Sequence, residues 1–248
     1  QDCLRALIAR DRDGDGLLEK PYAPNDWADN VYRSRWVTYD QALFCAALQN
    51  GAEIAAMLGE ETLASFYRRA EEKAFAGMVR ELWDENLGAF INYRRDGFRE
   101  EHFSIDTLVA LFYDLPLDER KRRRMLAAAR ELQTRINPAQ PYGDWGVMSC
   151  FPLYHQERDR FGKSAQPYGY HNGADWPYWD GVYGWLLRRE ENEDWTYVLS
   201  RWWRYGLEKG WLTPIEYYSP PFPPGGRLQG WSSTPAAALT WEWRLRKL

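Results

Sequence analysis

Helical periodicity in this chain is broken three times by long stretches, 11–37, 137–176 and 210–231, that are polar, aromatic and rich in Gly and Pro. Loops of that length are uncommon inside a compact domain unless they carry function. Between them, apolar residues recur at spacings of three and four. Leu43, Ala47, Gly51, Ile54 and Leu58 mark one helical face; Leu63, Tyr67, Ala70, Ala74 and Met78 mark the next, and Gly59 separates the two. Further helical patterns cover 104–114, 118–135, 177–190, 193–208 and 232–246, with a helix tail at 1–10. Asp118, after Pro116, is placed to cap the run through Met125, Ala129, Leu132 and Ile136. Residues 84–93 read as a turn and a short strand, in a small hairpin closed at Asp96-Gly97.

Helical hairpins alternating with aromatic loops predict an all-α chain: an (α/α) toroid with a small β-hairpin insertion, its loops gathered at one end. A closed toroid of six hairpins needs twelve helices, whereas this sequence offers seven and a tail. The deficit predicts the C-terminal part of an (α/α)6 barrel, or a shortened one. Its open side would then be covered by a missing N-terminal region, another chain or self-association. No internal linker divides the chain, so residues 1–248 are read as a single barrel domain lacking the first hairpins.

Charge and composition exclude several classes. A net charge of −4 leaves no basic footprint for a nucleic-acid backbone. No run of about 18 apolar residues exists to span a membrane, and residues 1–20 lack the pattern of a secretory signal. Cys3, Cys45 and Cys150 are odd in number and far apart, which excludes a disulfide scaffold and a Cys-rich zinc site. That usage fits a reducing, cytoplasmic setting. Aromatic residues, in contrast, reach 16%, with 14 Trp and 16 Tyr against 10 Phe. Trp and Tyr carry a polar atom that a purely packed core avoids. Many flat rings with a polar handle suit a pocket that stacks on sugar faces and hydrogen-bonds their hydroxyls.

Four constellations are candidates for chemistry. Asp11, Asp13 and Asp15, followed by Gly16, open like a calcium loop, but its twelfth position is Tyr22 where a bidentate Glu is required. A tight carboxylate-rich turn is the preferred reading over a bound calcium, and no cofactor is expected. Asp26 and Asp29 flank Trp27 in a loop; a carboxyl group desolvated beside an indole is suited to act as a general acid. The run Tyr168–Gly181 leads into a helix through Pro177 and leaves His171, Asn172, Asp175 and Trp176 on the entering loop. With only His102, His155 and His171 in the chain and no paired spacing, no metal site is expected, and His171 and Asn172 read as hydroxyl-binding groups. Finally, Glu216 lies in a proline-rich extended segment beside Tyr217 and Tyr218, ahead of Gln229 and Trp231.

Taken in order, these segments resemble the (α/α)6-barrel glycoside hydrolases, in particular family 63 and the bacterial amylo-α-1,6-glucosidase and debranching-enzyme-like proteins. The resemblance rests on Trp27-Ala-Asp29, Thr38 to Gln41, His171-Asn-Gly with Trp176-Pro177, Glu216-Tyr-Tyr-Ser-Pro220 and Gly230-Trp-Ser232. It implies an inverting glycosidase acting on α-linked gluco- or manno-configured sugars, with Asp29 as general acid and Glu216 as general base. Asp26 is a rival for the acid, because the Asn-Asp-Trp-Ala-Asp order departs from the family's acid motif. Trp27, Trp176, Trp179 and Trp231 become candidate stacking walls, and His171, Asn172, Asp175 and Gln229 candidate hydroxyl contacts. The substrate would be an oligosaccharide or small glycoside. Alternatives on the same scaffold are a rhamnosidase, a phosphorylase, or a carbohydrate-binding or assembly protein that has lost catalysis.

Overall fold

The computed structural model describes residues 2–245, with side chains through 239, so position 1 of the first helical pattern and 246 of the last lie outside the described residues. Eight α-helices occur among the described residues: α1 (Asp2–Ile8), α2 (Thr38–Met57), α3 (Glu61–Leu82), α4 (Val109–Phe112), α5 (Glu119–Arg130), α6 (Pro177–Arg189), α7 (Trp195–Glu208) and α8 (Thr234–Leu245). Seven two- or three-residue strands accompany them: β1 (Trp36–Val37), β2 (Trp83–Asp84), β3 (Ala89–Phe90), β4 (Tyr93–Arg95), β5 (Phe98–Glu100), β6 (Phe103–Ser104) and β7 (Cys150–Phe151). They form three small antiparallel sheets, ordered β1-β4-β5, β2-β3 and β6-β7. Helices thus make up most of the regular structure among the described residues, with a few small sheets between them. Short strands replace coil where long loops need their backbone groups paired.

Local chemistry explains the elements. Gly59 terminates α2 in the turn before α3 at φ +78°, a conformation that costs glycine little. Asp118 accepts from the Lys121 N–H at 2.7 Å, capping α5. Asp96 and Gly97 close the β4–β5 hairpin, with Arg95 opposite Phe98 and Gly97 at φ +68°. Pro177 occupies the first turn of α6, which packs against α7 and α8.

The core side of α2 differs from the expected stripe. Gln41, Phe44, Cys45, Leu48, Ala52 and Ala55 are buried, whereas Ile54 and Leu58 are exposed and Leu43, Ala47 and Gly51 half-buried. α2 is apolar on two sides; the stripe at 43–58 is the outer one, partly covered by α1 and α3 where Leu4 and Tyr67 approach Gly51. α3 buries Tyr67, Ala74 and Met78 as its pattern predicts. No helix among the described residues is long and apolar enough to cross a membrane.

What matters most for the site is how the loops are pinned. The Gln41 side chain of α2 accepts from the Leu18 N–H at 2.9 Å and donates to its carbonyl at 2.8 Å. Thr38 at the start of α2 donates to the Ile91 carbonyl at 2.5 Å. The Asp175 and Tyr218 backbones exchange hydrogen bonds at 2.9 and 3.0 Å. This last pairing joins the loop entering α6 to the proline-rich segment, so two of the three long loops meet.

Candidate active site

The loop 23–35 is built on a buried charge network. Arg33 is fully buried and donates to Asp26 at 2.6 and 3.2 Å and to Asp106 at 2.6 Å. Lys20 also donates to Asp26, and the Asp106 carboxylate accepts the Trp27 indole N–H at 2.7 Å. Burial alone would raise the pKa of Asp106, but the Arg33 guanidinium beside it holds the carboxyl below its ordinary range. Burial lowers Lys20 to about 8. Asp26, with its side chain 2% exposed, is thus occupied by two cations inside the protein. The network fixes Trp27 and leaves Asp29 projecting beyond it.

Asp29 is the exposed member of the pair, with 56% of its side chain open to solvent. Its Oδ1 lies 3.1 Å from His171 Nε2 and accepts from the Asn30 amide at 3.0 Å. Hydrogen bonding from His171, then from Asn30 and Tyr170, lowers Asp29 to about 2 although partial burial opposes it. His171 is buried; desolvation takes it down to about 4 despite the carboxylate, so near neutral pH it is an uncharged donor.

His171 sits in a strained loop. Tyr168 and Tyr170 adopt φ +60° and +48°, in the left-handed region that bulky side chains avoid, on either side of Gly169. Gly169 itself packs against the Lys163 carbonyl. The result is a stack of rings: His171 lies parallel to Trp176 at 4.7 Å and 9°, and Trp176 on Tyr217 at 5.2 Å and 27°. Tyr170 covers all three at 4.0–4.9 Å, and Trp27 meets His171, Trp176 and Trp179 edge-on.

Glu216 enters from the opposite segment. Its backbone N–H donates to the Gly226 carbonyl at 2.8 Å, and its Oε2 faces the Gly226 N–H at 3.3 Å. Gln229 shares that corner, because a Cβ on Gly226 would meet both Gln229 Nε2 and Glu216 Oε2. The charges of Asp29 and Glu216 both raise the pKa of the Tyr170 hydroxyl, after its burial, and both support the Lys163 ammonium, whose first partner is Tyr217. Lys163 Nζ lies 5.4 and 5.3 Å from the Tyr170 and Tyr217 ring centres. Two carboxylates far apart in sequence thus flank the same ring stack, Asp29 through His171 and Glu216 as the residue before Tyr217.

The remaining sequence candidates take other places. Asn172 is buried; its Oδ1 accepts from the Tyr154 N–H at 3.0 Å and its amide donates to the Gln166 carbonyl at 3.3 Å, so it braces two loops. Asp175 is also buried, accepting from the Val147 N–H at 2.7 Å and the Tyr218 hydroxyl at 2.8 Å. Desolvation raises it to about 7, and it faces Asp180, whose pKa burial also raises well above the ordinary carboxylate range. Trp176, the middle ring of the stack, and Trp179, which packs on Trp27, are buried; Trp27 is half-buried, and Trp231, 40% exposed, packs on Tyr178. At the candidate calcium turn, the Lys73 ammonium stands 2.8 Å from Asp11. The sequence reading missed Tyr170, Lys163, Arg33 and Asp106. An aromatic-flanked Tyr-His pair is a local signal for Tyr170; the other three have none, because the pairing of Arg33 and Trp27 with Asp106 and of Lys163 with Tyr217 joins segments remote in sequence.

No protein-family model matches the chain, and no curated protein does. Solved structures do. A family 78 rhamnosidase of a Bacillus species superposes with a TM-score of 0.63 at 18% identity, over 96% of this chain and 22% of the rhamnosidase. A family 63 mannosylglycerate hydrolase from Thermus thermophilus, solved with Tris, superposes with a TM-score of 0.54 at 17% identity, over 83% of this chain and 45% of that one. Both are (α/α)6-barrel glycoside hydrolases. The chain thus spans less than half the length of either, and what it shares with them at these identities is the fold.

Proposed function

We propose that this chain is the C-terminal part of an (α/α)6 barrel carrying the acid/base pair of an inverting glycoside hydrolase for α-linked gluco- or manno-configured sugars. One observation carries the reading: Asp29 meets His171 at 3.1 Å at one end of the His171–Trp176–Tyr217 ring stack, and Glu216 directly precedes Tyr217 at the other end. Inversion requires one carboxyl group to protonate the leaving oxygen while the other activates a water across the sugar, at a separation of about 6.5–9.5 Å. Asp29 is the acid and Glu216 the base. Trp27 and Tyr170 offer ring faces to the sugar, Trp231 a more distant one, and Gln229 a hydroxyl contact next to the base.

Asp29 has no proton to give in the free protein, because His171 and its neighbours keep it ionised. The sugar must therefore raise its pKa, by displacing water from a carboxylate that is half open. The same ionised state favours a second reading in which the two roles are exchanged. Glycosyl fluorides separate them, since fluoride leaves without protonation. Asp29→Asn is expected to lose about 10²–10⁴-fold on alkyl and aryl glycosides and to keep most of its fluoride hydrolysis, while Glu216→Gln loses both. The opposite pattern means exchanged roles; unaltered rates in both variants mean the pair is wrong. Substrates for the panel are α-glucosides, α-mannosides, mannosylglycerate and, because the family 78 neighbour is a rhamnosidase, α-rhamnosides.

A further inference from the structure

Away from the ring stack, the fold brings together two histidines that have no paired spacing in the sequence. Glu100 ends β5, His102 follows before β6, and His155 lies on the loop after β7. Glu100 and His102 are fully buried, whereas the His155 side chain is 52% exposed. Glu100 Oε1 lies 3.1 Å from His102 Nδ1 and 2.7 Å from His155 Nδ1. The same oxygen also receives the His155 backbone N–H at 3.0 Å.

We propose that Glu100, His102 and His155 bind one divalent transition-metal ion. Three observations support this. First, three nitrogens, the His155 backbone N–H and the two ring Nδ1 atoms, crowd within 3.1 Å of Oε1, while a carboxylate oxygen offers about two lone-pair sites. A cation bound by the two ring nitrogens and the carboxylate removes that crowding. Second, one oxygen and two ring nitrogens, held within 4.8 Å of one another, have the dimensions of a coordination shell. Ligands at about 2.1 Å on adjacent octahedral positions stand about 3.0 Å apart, and the two oxygen–nitrogen distances bracket that value. Two histidines and one carboxylate on one face, with the other positions free for water, are a donor set that first-row divalent ions use. Third, the set is partly preorganised. Glu100 Oε2 is held by the His155 and Gln156 N–H groups at 3.2 and 3.3 Å. His102 packs edge-on against Tyr154 at 4.5 Å, while its Nε2 has no hydrogen-bond partner among the described residues. Exposed His155 provides the way in.

The test is calorimetric titration of metal-stripped protein with zinc chloride. The wild type and Asp13→Asn, which alters the acidic turn at Asp11–Asp15, are each expected to bind one equivalent. His155→Ala, whose side chain is half in solvent and whose fold is checked by circular dichroism, is expected to bind about tenfold more weakly or worse. Glu100→Gln is a second variant with the same expectation. X-ray absorption of the zinc-loaded wild type is expected to show two imidazole ligands. No zinc uptake by the wild type, uptake unchanged in both His155→Ala and Glu100→Gln, or uptake lost in Asp13→Asn and kept in His155→Ala would each overturn the proposal.

Discussion

Asp26 and Asp29 stand three positions apart, and their replacements are expected to fail in opposite ways. Asp26 lies in a network with Arg33, Lys20 and Asp106 from which solvent is excluded. Asp26→Asn keeps the shape and removes the charge, leaving two buried cations with Asp106 and, for Lys20, Asp40 at 3.6 Å. Breaking a buried pair from one side costs about 3–5 kcal/mol. In a chain of this size each kcal/mol moves the thermal midpoint by about 2–4 °C, so the midpoint falls by about 6–20 °C. Asp29 is half in solvent, and an amide oxygen can still accept from His171, so Asp29→Asn is expected to cost no more than about 1.5 kcal/mol. Its loss is in turnover instead, by the factor given for a general acid. Differential scanning calorimetry and initial rates at 25 °C on the same preparations separate the two. An Asp26→Asn variant that melts within about 2 °C of wild type but loses about 100-fold in rate would refute the structural reading of Asp26 and make it the acid.

Two further outcomes follow from the buried titrating groups. His171 is held down to about 4 by desolvation, below its ordinary 6.5, so the unfolded chain binds the extra proton. Its contribution is full above about 6.5 and is lost as pH falls from there toward about 4; thermal midpoints over that window are expected to drop, and His171→Gln is expected to flatten the drop. Asp175 is shifted the other way, up to about 7, by burial opposite Asp180. That contribution is full below 3.8 and is lost as pH rises through about 7. Asp180→Asn supplies an amide donor to Asp175, and urea unfolding at pH 8 is expected to show a higher midpoint than wild type; a lower one would mean the pair is not short of a proton.

Short-range features were legible in the sequence. The Gly59 break, the Asp118 cap, the Asp96-Gly97 turn and Pro177 in the first turn of α6 depend on residues within a few positions of one another. The core side of α2 was not, because apolar residues lie on two of its sides and only the packing of α1 and α3 distinguishes them. The same limit applies to the site. Asp26, Asn172 and Asp175 read as free polar groups in loops, since their partners Arg33, Tyr154, Val147 and Tyr218 are contributed by the fold. His102 and His155 carry no spacing signal for the same reason. Trp176 and Trp179 announced an aromatic cluster without announcing which rings face solvent, and they prove to be its buried layer.

The most direct test of the account is the anomer released first from an α-glucoside or α-mannoside, followed by proton NMR before mutarotation. An inverting pair built from Asp29 and Glu216 predicts that the β-anomer accumulates first, and that neither Asp29→Asn nor Glu216→Gln releases it at the wild-type rate. Initial release of the α-anomer would contradict inversion and require the two carboxyl groups to act at about 5–5.5 Å through a covalent intermediate.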